Sequence, residues 1–145
     1  MAATFQKGSI TLATAKKMIE ASEAKAKELG VPMITAVVDG EGNLKAFGRM
    51  DGAALLSIDI AINKAWTAIS FGMATHEWWE FIKNDAPLLH GITHTPRLIV
   101  FGGGYPIKLE GQLVGGIGVS GGHYSQDQKC AEAALKVFET ESKKK

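Results

Sequence analysis

The residues best suited to chemistry are concentrated at positions 76–79, which read His-Glu-Trp-Trp. Neighbouring residues of a helix point about a quarter-turn apart, so Trp78 and Trp79 cannot both enter the core easily. At least one is expected to line a pocket for a flat aromatic ligand, unless one packs in the core and the other against a second copy of the chain. In such a pocket His76 would act as an axial ligand or, together with Glu77, as an acid–base group.

Three further side chains complete this set of candidates, namely His90, His94 and Tyr105. The two histidines are four residues apart, but Gly91 lies between them and Pro96 follows, so they are not expected to share a helical face. A His-Glu-x-x-His sequence is absent, and a structural zinc site usually draws on several cysteines, whereas this chain has one. We therefore expect no intrinsic metal site and treat all three side chains as ligand-binding candidates.

The segment Phe101–Gly122 holds more than half of the chain's 17 glycines. It is not a phosphate-binding loop, because it lacks a Gly-Lys-Ser/Thr sequence opening a helix, and it lacks the strand–helix–strand context of a dinucleotide site. The successive backbone amides of Ser120, Gly121 and Gly122 precede a predicted helix and are a candidate nest for an anion or a carbonyl oxygen. The alternative is that the glycines only mark the tight ends of two strands and a turn.

Two basic side chains are candidates for holding a carboxylate. Arg49 lies with Asp51 in the sequence Arg-Met-Asp-Gly-Ala, which joins a predicted hairpin to a long helix, and both count among the ligand-binding candidates. Lys64 lies in that helix beside the small residues Ala61 and Ala68. A lysine placed in this way either extends its ammonium group to solvent or reaches an anion.

The composition is typical of one globular domain, which we expect to span residues 1–145 with a frayed lysine tail at 143–145. The net charge of +1 gives no basic surface for nucleic acid or acidic lipid. No stretch approaches the roughly 18 apolar residues of a membrane span, and no secretion signal is recognisable. The single cysteine, Cys130, is expected to be a small buried hydrophobe, and we expect a cytoplasmic protein with a small-molecule ligand.

Hydrophobic periodicity and capping residues predict an α+β fold, a five-stranded antiparallel sheet with helices on its faces. The long second helix carries more apolar surface than one sheet face would bury, so a homo-oligomer is expected. The predicted helices are Leu12–Leu29, Leu55–Phe71, His76–Ile82 and one from the N-cap Ser125 to Thr140. The predicted strands are Met33–Asp39, Leu44–Arg49, Arg97–Phe101, Pro106–Leu109 and Leu113–Val119, and Asn84–Thr95 is predicted to be a loop.

Over about residues 10–138 the chain resembles the GlcG/HbpS-like family. The Thr-His-Glu and Phe-Gly-Gly-Gly variants are most similar to the C-terminal domain of the propanediol-utilisation cobalamin adenosyltransferases and to stand-alone relatives of that domain. The motifs that carry the resemblance are, in order, Arg49-Met-Asp-Gly-Ala53, Ser57, Lys64-Ala65, Thr67-Ala68, Thr75-His76-Glu77, Phe101-Gly-Gly-Gly-Tyr-Pro106, Gly115-Gly-Ile-Gly-Val-Ser-Gly-Gly122 and Gln126-Asp127.

The resemblance implies a profilin-like fold, assembly into dimers or larger rings and, for several members, haem binding or slow haem degradation. Some haem-binding members are thought to use a histidine early in the chain, whereas the first predicted helix here has none. The candidates for a haem iron ligand are therefore His76, His90 and His94, with tryptophan and tyrosine stacking on the ring. Arg49 or Lys64 would then pair with the propionates.

The same resemblance allows an alternative function. Some members differ in activity, including a lyase that converts hydroxylamino-aromatic acids to catechols with loss of ammonia. In a cofactor-free lyase or isomerase for a small aromatic carboxylic acid, His76 and Glu77 would be the catalytic acid–base pair. Arg49 or Lys64 would hold the carboxylate, and the amides of Gly121 and Gly122 would receive an oxyanion.

Overall fold

The computed structural model describes residues 2–144 and has an α+β fold in three layers. In chain order the elements are α1 (Leu12–Leu29), β1 (Ile34–Asp39), β2 (Leu44–Arg49), α2 (Leu56–Phe71), a 3₁₀ turn (Thr75–Glu77), α3 (Trp78–Ile82), α4 (Ala86–Gly91), a second 3₁₀ turn (Ile92–His94), β3 (Gly104–Leu109), β4 (Gln112–Ser120) and α5 (Tyr124–Ser142). The strands form an antiparallel sheet in the order β2-β1-β4-β3. Helices α1 and α5 cover one face of the sheet, and α2 covers the other.

Helix α1 begins and ends where the capping residues predict. The hydroxyl of Thr11 accepts a hydrogen bond from the amide of Thr14 at 3.2 Å. Gly30 ends the helix with a left-handed φ of 73°. The predicted hairpin is confirmed as β1 and β2, and β2 lies at one edge of the sheet.

Strand β1 separates the two halves of the core because its side chains alternate between the faces of the sheet. Ile34 and Ala36 pack towards α2, whereas Val37 joins the cluster between the sheet and helices α1 and α5. The hydroxyl of Thr35 lies 2.6 Å from that of Ser22 in α1, so two buried polar groups satisfy each other. Both faces of β1 are therefore covered.

Two glycines of β4 allow α2 to approach the sheet closely. A Cβ atom at Gly118 would overlap the carbonyl oxygen of Ala61, and one at Gly116 would overlap that of Ala65. Glycine is required where another backbone comes this near. Helix α2 is thus the neighbour for which this part of the glycine-rich segment leaves room.

The prediction of a five-stranded sheet is wrong, because Arg97–Phe101 does not form a strand. The hydroxyl of Thr67 in α2 donates to the carbonyl oxygen of Arg97 at 3.1 Å and accepts from the amide of Ile99 at 3.0 Å. Arg97 has a positive φ of 71°, and its guanidinium group lies 4.7 Å from the ring centre of Trp66. We call this segment the strap, because its backbone bonds a helix side chain instead of a neighbouring strand.

The prediction of a loop over Asn84–Thr95 is also wrong in part, since the segment contains α4 and the second 3₁₀ turn. The carboxylate of Asp85 accepts from the amide of Leu88 at 3.3 Å and caps α4. A proline in the first turn is compatible with this start, because the first amides of a helix have no intrahelical acceptor. Pro87 is therefore consistent with the start of α4.

Helix α5 begins two residues earlier than predicted, because His123 and not Ser125 is the N-cap. The ring Nδ1 of His123 accepts from the amide of Ser125 at 3.2 Å, and the side chain of Gln126 accepts from the amide of His123 at 3.0 Å. These reciprocal bonds form a capping box with a histidine in the place of the usual hydroxyl residue.

The lysine tail is described only in part. Lys145 lies outside the described residues, and Nζ of Lys144 lies 2.8 Å from Oε1 of Glu141. Within residues 2–144, no helix combines the length and the apolar character needed to cross a bilayer.

Candidate ligand-binding site

A surface pocket of about 370 Å³, here called the His76 pocket, brings His76 and Tyr105 together. His76 comes from the first 3₁₀ turn and Tyr105 from β3, and their ring centroids are 5.4 Å apart with the planes inclined by 57°. Glu77 lines the same pocket. These three are the predicted site residues that line this pocket. The other lining residues are Gly72, Ala74, Pro106, Lys108, Leu135, Phe138 and Glu139.

Tyr105 is held at its hydroxyl end by α5. Its Oη donates to Oε1 of Glu132 at 2.7 Å. Burial and this bond to a carboxylate both favour the neutral phenol and raise the pKa of Tyr105. At neutral pH Tyr105 is therefore a hydrogen-bond donor with a fixed direction and not a phenolate.

Glu77 closes the turn that carries His76. Its Oε2 accepts from the amide of Ala74 at 3.1 Å, so an amide at the start of the turn finds its partner in this side chain. His76 itself is exposed at the mouth of the pocket. The turn thus presents an imidazole to solvent while the adjacent carboxylate holds the backbone.

The two tryptophans divide between the core and the surface. Trp78 is 3% exposed, and its ring centroid lies 5.2 Å from that of Phe71 and 5.7 Å from that of Phe81, whereas Trp79 is 54% exposed. Nε1 of Trp78 is buried and has no hydrogen-bond partner within the described part of the chain. Neither indole lines the His76 pocket.

The two other candidate histidines lie away from this pocket. His90 belongs to α4 and His94 to the second 3₁₀ turn, both are exposed, and neither lines the His76 pocket. No group of three or more His, Cys, Asp or Glu side chains in residues 2–144 is arranged to hold a metal ion. Of the three histidines, His76 is the one that the fold brings to a pocket with an aromatic partner.

Arg49 and Asp51 contribute to a separate polar pocket of about 350 Å³. Nη2 of Arg49 donates to the carbonyl oxygen of Ala53 at 3.0 Å, which fastens the connection between β2 and α2. Neither side chain reaches the His76 pocket. The other residues of this second pocket are Glu23, Lys27 and Met50.

Lys64 is fully buried and does not extend to solvent. Its Nζ lies 2.8 Å from Oδ2 of Asp127 and 2.8 Å from the carbonyl oxygen of Val119, and 5.0 Å from the ring centre of Phe101. Burial lowers the pKa of Lys64 and raises the pKa of Asp127, because desolvation disfavours both charged forms, while their attraction opposes both shifts. The anion that Lys64 reaches is a carboxylate of its own chain.

The same carboxylate bonds one amide of the predicted nest. The amide of Gly122 donates to Oδ1 of Asp127 at 3.1 Å. Ser120 is buried at the end of β4 opposite Ile34, and Gly121 follows it. Of the two amides expected to receive a substrate oxyanion, those of Gly121 and Gly122, the second is thus bonded to a side chain of α5.

Sequence reasoning missed the contribution of α5 to the site. Leu135 and Phe138 form part of the pocket wall, and Glu132 holds Tyr105. Along the chain these residues have the ordinary pattern of an amphipathic helix, and no local signal separates a pocket wall from a core position. Lys108, also missed, is a single charge on an edge strand.

Asp127 did carry a signal in the sequence. It precedes Cys130 and Ala131 by three and four residues, which places it on the buried face of α5. A carboxylate on a buried face needs a partner of opposite charge. Lys64, among the small residues of α2, is the matching charge.

Comparisons with known proteins agree with this fold. A 15.0 kDa protein from the dhaT–dhaS intergenic region of Citrobacter freundii is 46% identical over 135 residues, which cover 92% of this chain and 94% of that protein. The crystal structure of Klebsiella pneumoniae protein ORFY is 41% identical, with a TM-score of 0.89 over 96% of this chain and 97% of the other. A crystal structure of a PduOC–haem complex is 33% identical, with a TM-score of 0.82 over 89% of this chain and 94% of the other.

The family assignment follows from a match that covers most of the sequence. Residues 10–136 match the profile of the family described as haem degrading protein HbpS-like. This span contains all elements from α1 to β4 and the larger part of α5. The chain therefore belongs to the HbpS-like family.

Proposed function

We propose that this protein binds haem, or a related flat aromatic ligand, in the His76 pocket. The observation that carries the proposal is the pairing of His76 with Tyr105, whose ring centroids lie 5.4 Å apart in one pocket. An imidazole nitrogen is a common axial ligand of haem iron, and an aromatic ring offers a face or an edge to a porphyrin. Bound haem would supply redox-active iron, and the chain would supply the axial ligand and the walls.

The lining of the pocket fits a ligand with an apolar plate and acidic edges. Pro106, Leu135 and Phe138 form an apolar wall, and Lys108 is available to pair with a propionate. A volume of about 370 Å³ lies within the range of small-molecule sites, roughly 300–1,000 Å³. An open pocket of this size would enclose one edge of a haem and leave the other edge to solvent or to a second copy.

The comparisons support haem over other flat ligands. A related protein, PduOC, has been solved as a complex with haem. The description of the family refers to haem degradation.

Titration of the ligand-free protein with haemin tests the proposal. We expect a Soret band that saturates at one haem per chain and is lost in His76→Ala. His90→Ala and His94→Ala are matched controls, because they remove exposed imidazoles outside the pocket, and both should bind as the wild type does. A spectrum that no single histidine change alters would refute His76 as the ligand, and no saturable band would refute haem binding.

A second candidate function is a cofactor-free lyase or isomerase for a small aromatic carboxylic acid. The observation in its favour is that His76, Glu77 and Lys108 line one pocket, which offers an acid–base group and a cation for a carboxylate. Metal-free protein would then convert a hydroxylamino-aromatic acid and water into a catechol and ammonia. Turnover that disappears in His76→Ala supports this function, and an inert wild type across a panel of such acids contradicts it.

The proposal includes self-association. Phe71 and Phe81 lie 5.8 Å apart and remain 57% and 49% exposed, and Trp79 is exposed nearby in the sequence. At the start of α2, Leu55 and Leu56 are exposed as well. Large apolar side chains in such number are typical of a surface that contacts another protein.

A further inference from the structure

The buried hydroxyl of Thr75 connects the two halves of the His76 pocket. Thr75 is the first residue of the 3₁₀ turn and has no exposed surface. Its Oγ1 accepts from the amide of Gly104 at 2.8 Å and donates to the carbonyl oxygen of Gly104 at 3.4 Å. One side-chain atom thus bonds both backbone groups of one residue.

Gly104 needs such a partner because it begins β3, an edge strand of the sheet. It lies opposite Gly118 of β4, and in an antiparallel pair the N–H and C=O of one residue point to the same side. Both groups of Gly104 point to Thr75, away from β4, and Gly104 is buried, so without the threonine they would be unpaired in the interior. A hydroxyl can donate and accept through the same atom, which makes threonine or serine the suitable residue.

The space around Gly104 leaves no room for a side chain. A Cβ atom there would lie 2.7 Å from Cγ2 of Thr75 and 2.6 Å from the carbonyl oxygen of Lys64. The methyl group of the threonine and the backbone of α2 therefore both close on this residue. The spacing between the 3₁₀ turn and β3 is fixed by packing as well as by hydrogen bonds.

The two residues that follow this contact are the aromatic pair of the pocket. His76 comes directly after Thr75, and Tyr105 comes directly after Gly104. We propose that Thr75 is a positioning residue of the ligand site, which sets the distance between the rings of His76 and Tyr105 by clamping β3 to the turn. The role towards a ligand rests on the proposed haem binding, whereas the clamp is defined by the chain alone.

The test replaces Thr75 by valine, which keeps the shape of the side chain and removes the hydroxyl. Thr67→Val is the matched control, because the buried hydroxyl of Thr67 also bonds one carbonyl oxygen and one amide, in the strap and not at the pocket. In ligand-free protein, NMR should show a nuclear Overhauser effect between the rings of His76 and Tyr105. We expect this effect to be lost or weakened in Thr75→Val, retained in Thr67→Val and restored in Thr75→Ser.

Haemin titration of the same variants gives the second measurement. Partners that orient a metal ligand typically change affinity by about ten- to a hundredfold when removed, and we expect a loss of this size in Thr75→Val. Thr75→Ser should recover most of it, and Thr67→Val should bind as the wild type does. If Thr75→Val does not fold, Thr75→Ala takes its place with Thr67→Ala as the control.

Two results would overturn the inference. One is an unchanged Overhauser effect in the variant without the hydroxyl, which would mean that the rings keep their distance without the clamp. The other is an equal loss of the effect or of affinity in the Thr67 control, which would mean a general loosening of the fold. If the wild type shows no Soret band, haem binding fails, and the ligand-free measurement alone decides the role of Thr75.

Discussion

Nζ of Lys64 lies 2.8 Å from Oδ2 of Asp127, and neither side chain is more than 3% exposed. The ammonium group also donates to Val119, and the carboxylate also accepts from Gly122. One ion pair therefore joins helix α2, the end of β4 and the first turn of α5. Because both charges are satisfied inside the fold, the loss of either partner should cost more than the pair contributes over an apolar replacement.

We predict that Lys64→Met and Asp127→Leu each lower the free energy of unfolding by about 3–5 kcal/mol, since each leaves a buried charge without its partner. The double variant should lose much less than the sum of the two, because it buries no charge. Urea unfolding of the four proteins measures the coupling. Additive losses would mean that the two groups are stabilised independently.

The close approach of α2 to the sheet predicts a large difference between two glycines. Gly118→Ala should lower the free energy of unfolding by about 1–3 kcal/mol, because its Cβ would overlap the backbone of α2. Gly91→Ala is the control, since no heavy atom of residues 2–144 lies within 4 Å of a Cβ at that helical position. It should be neutral or stabilise by up to about 1 kcal/mol. Thermal unfolding measures both variants. An equal loss of free energy of unfolding in the two would contradict the close approach of α2 to the sheet.

Burial of Cys130 predicts a pH dependence of stability. Burial raises the pKa of this thiol from 9.0 to about 11, so the folded chain keeps its proton at pH values where the unfolded chain has lost it. The protonated thiol therefore contributes fully to the free energy of unfolding below pH 9. This contribution is lost as the pH rises towards about 11, a change of up to about 3 kcal/mol. The excess stability of the wild type over Cys130→Ala should fall across this window. A difference that is constant with pH would contradict the prediction.

Self-association through the exposed aromatic residues predicts a specific effect of charge. Phe81→Glu should shift sedimentation equilibrium towards the monomer, because it places a charge on the apolar surface that Phe71 shares. Asn84→Asp is the control, since it adds a negative charge nearby at an exposed polar position. Equal masses for the wild type and Phe81→Glu would exclude this surface as the contact.

Local signals made much of the fold predictable. The threonine before α1 and the glycines after α1 and α2 mark helix ends, and the turn residues between β1 and β2 mark a hairpin. The strap was not predictable in this way, because its apolar sequence is that of a strand. The hydrogen bonds that decide its conformation come from Thr67, 30 residues earlier in the chain.

The site was predictable in its chemistry but not in its assembly. His76 and Tyr105 could be selected as candidates because imidazole and phenol rings are suited to ligand contact. Their proximity depends on how β3 lies against the turn, and the pocket wall depends on α5, which is distant in sequence. Arg49 and Lys64 were equally suitable in chemical type, yet the fold bonds one to a backbone carbonyl and the other to Asp127.

The strap has a consequence for the order in which parts of the molecule open. Two backbone bonds of the strap end on a single hydroxyl, that of Thr67, whereas β4 is held by ladders on both sides. Local opening of the strap breaks few bonds and leaves the sheet intact. The amide of Ile99 is therefore expected to exchange its hydrogen with solvent long before those of β4, while β3, which carries Tyr105, stays paired in the sheet.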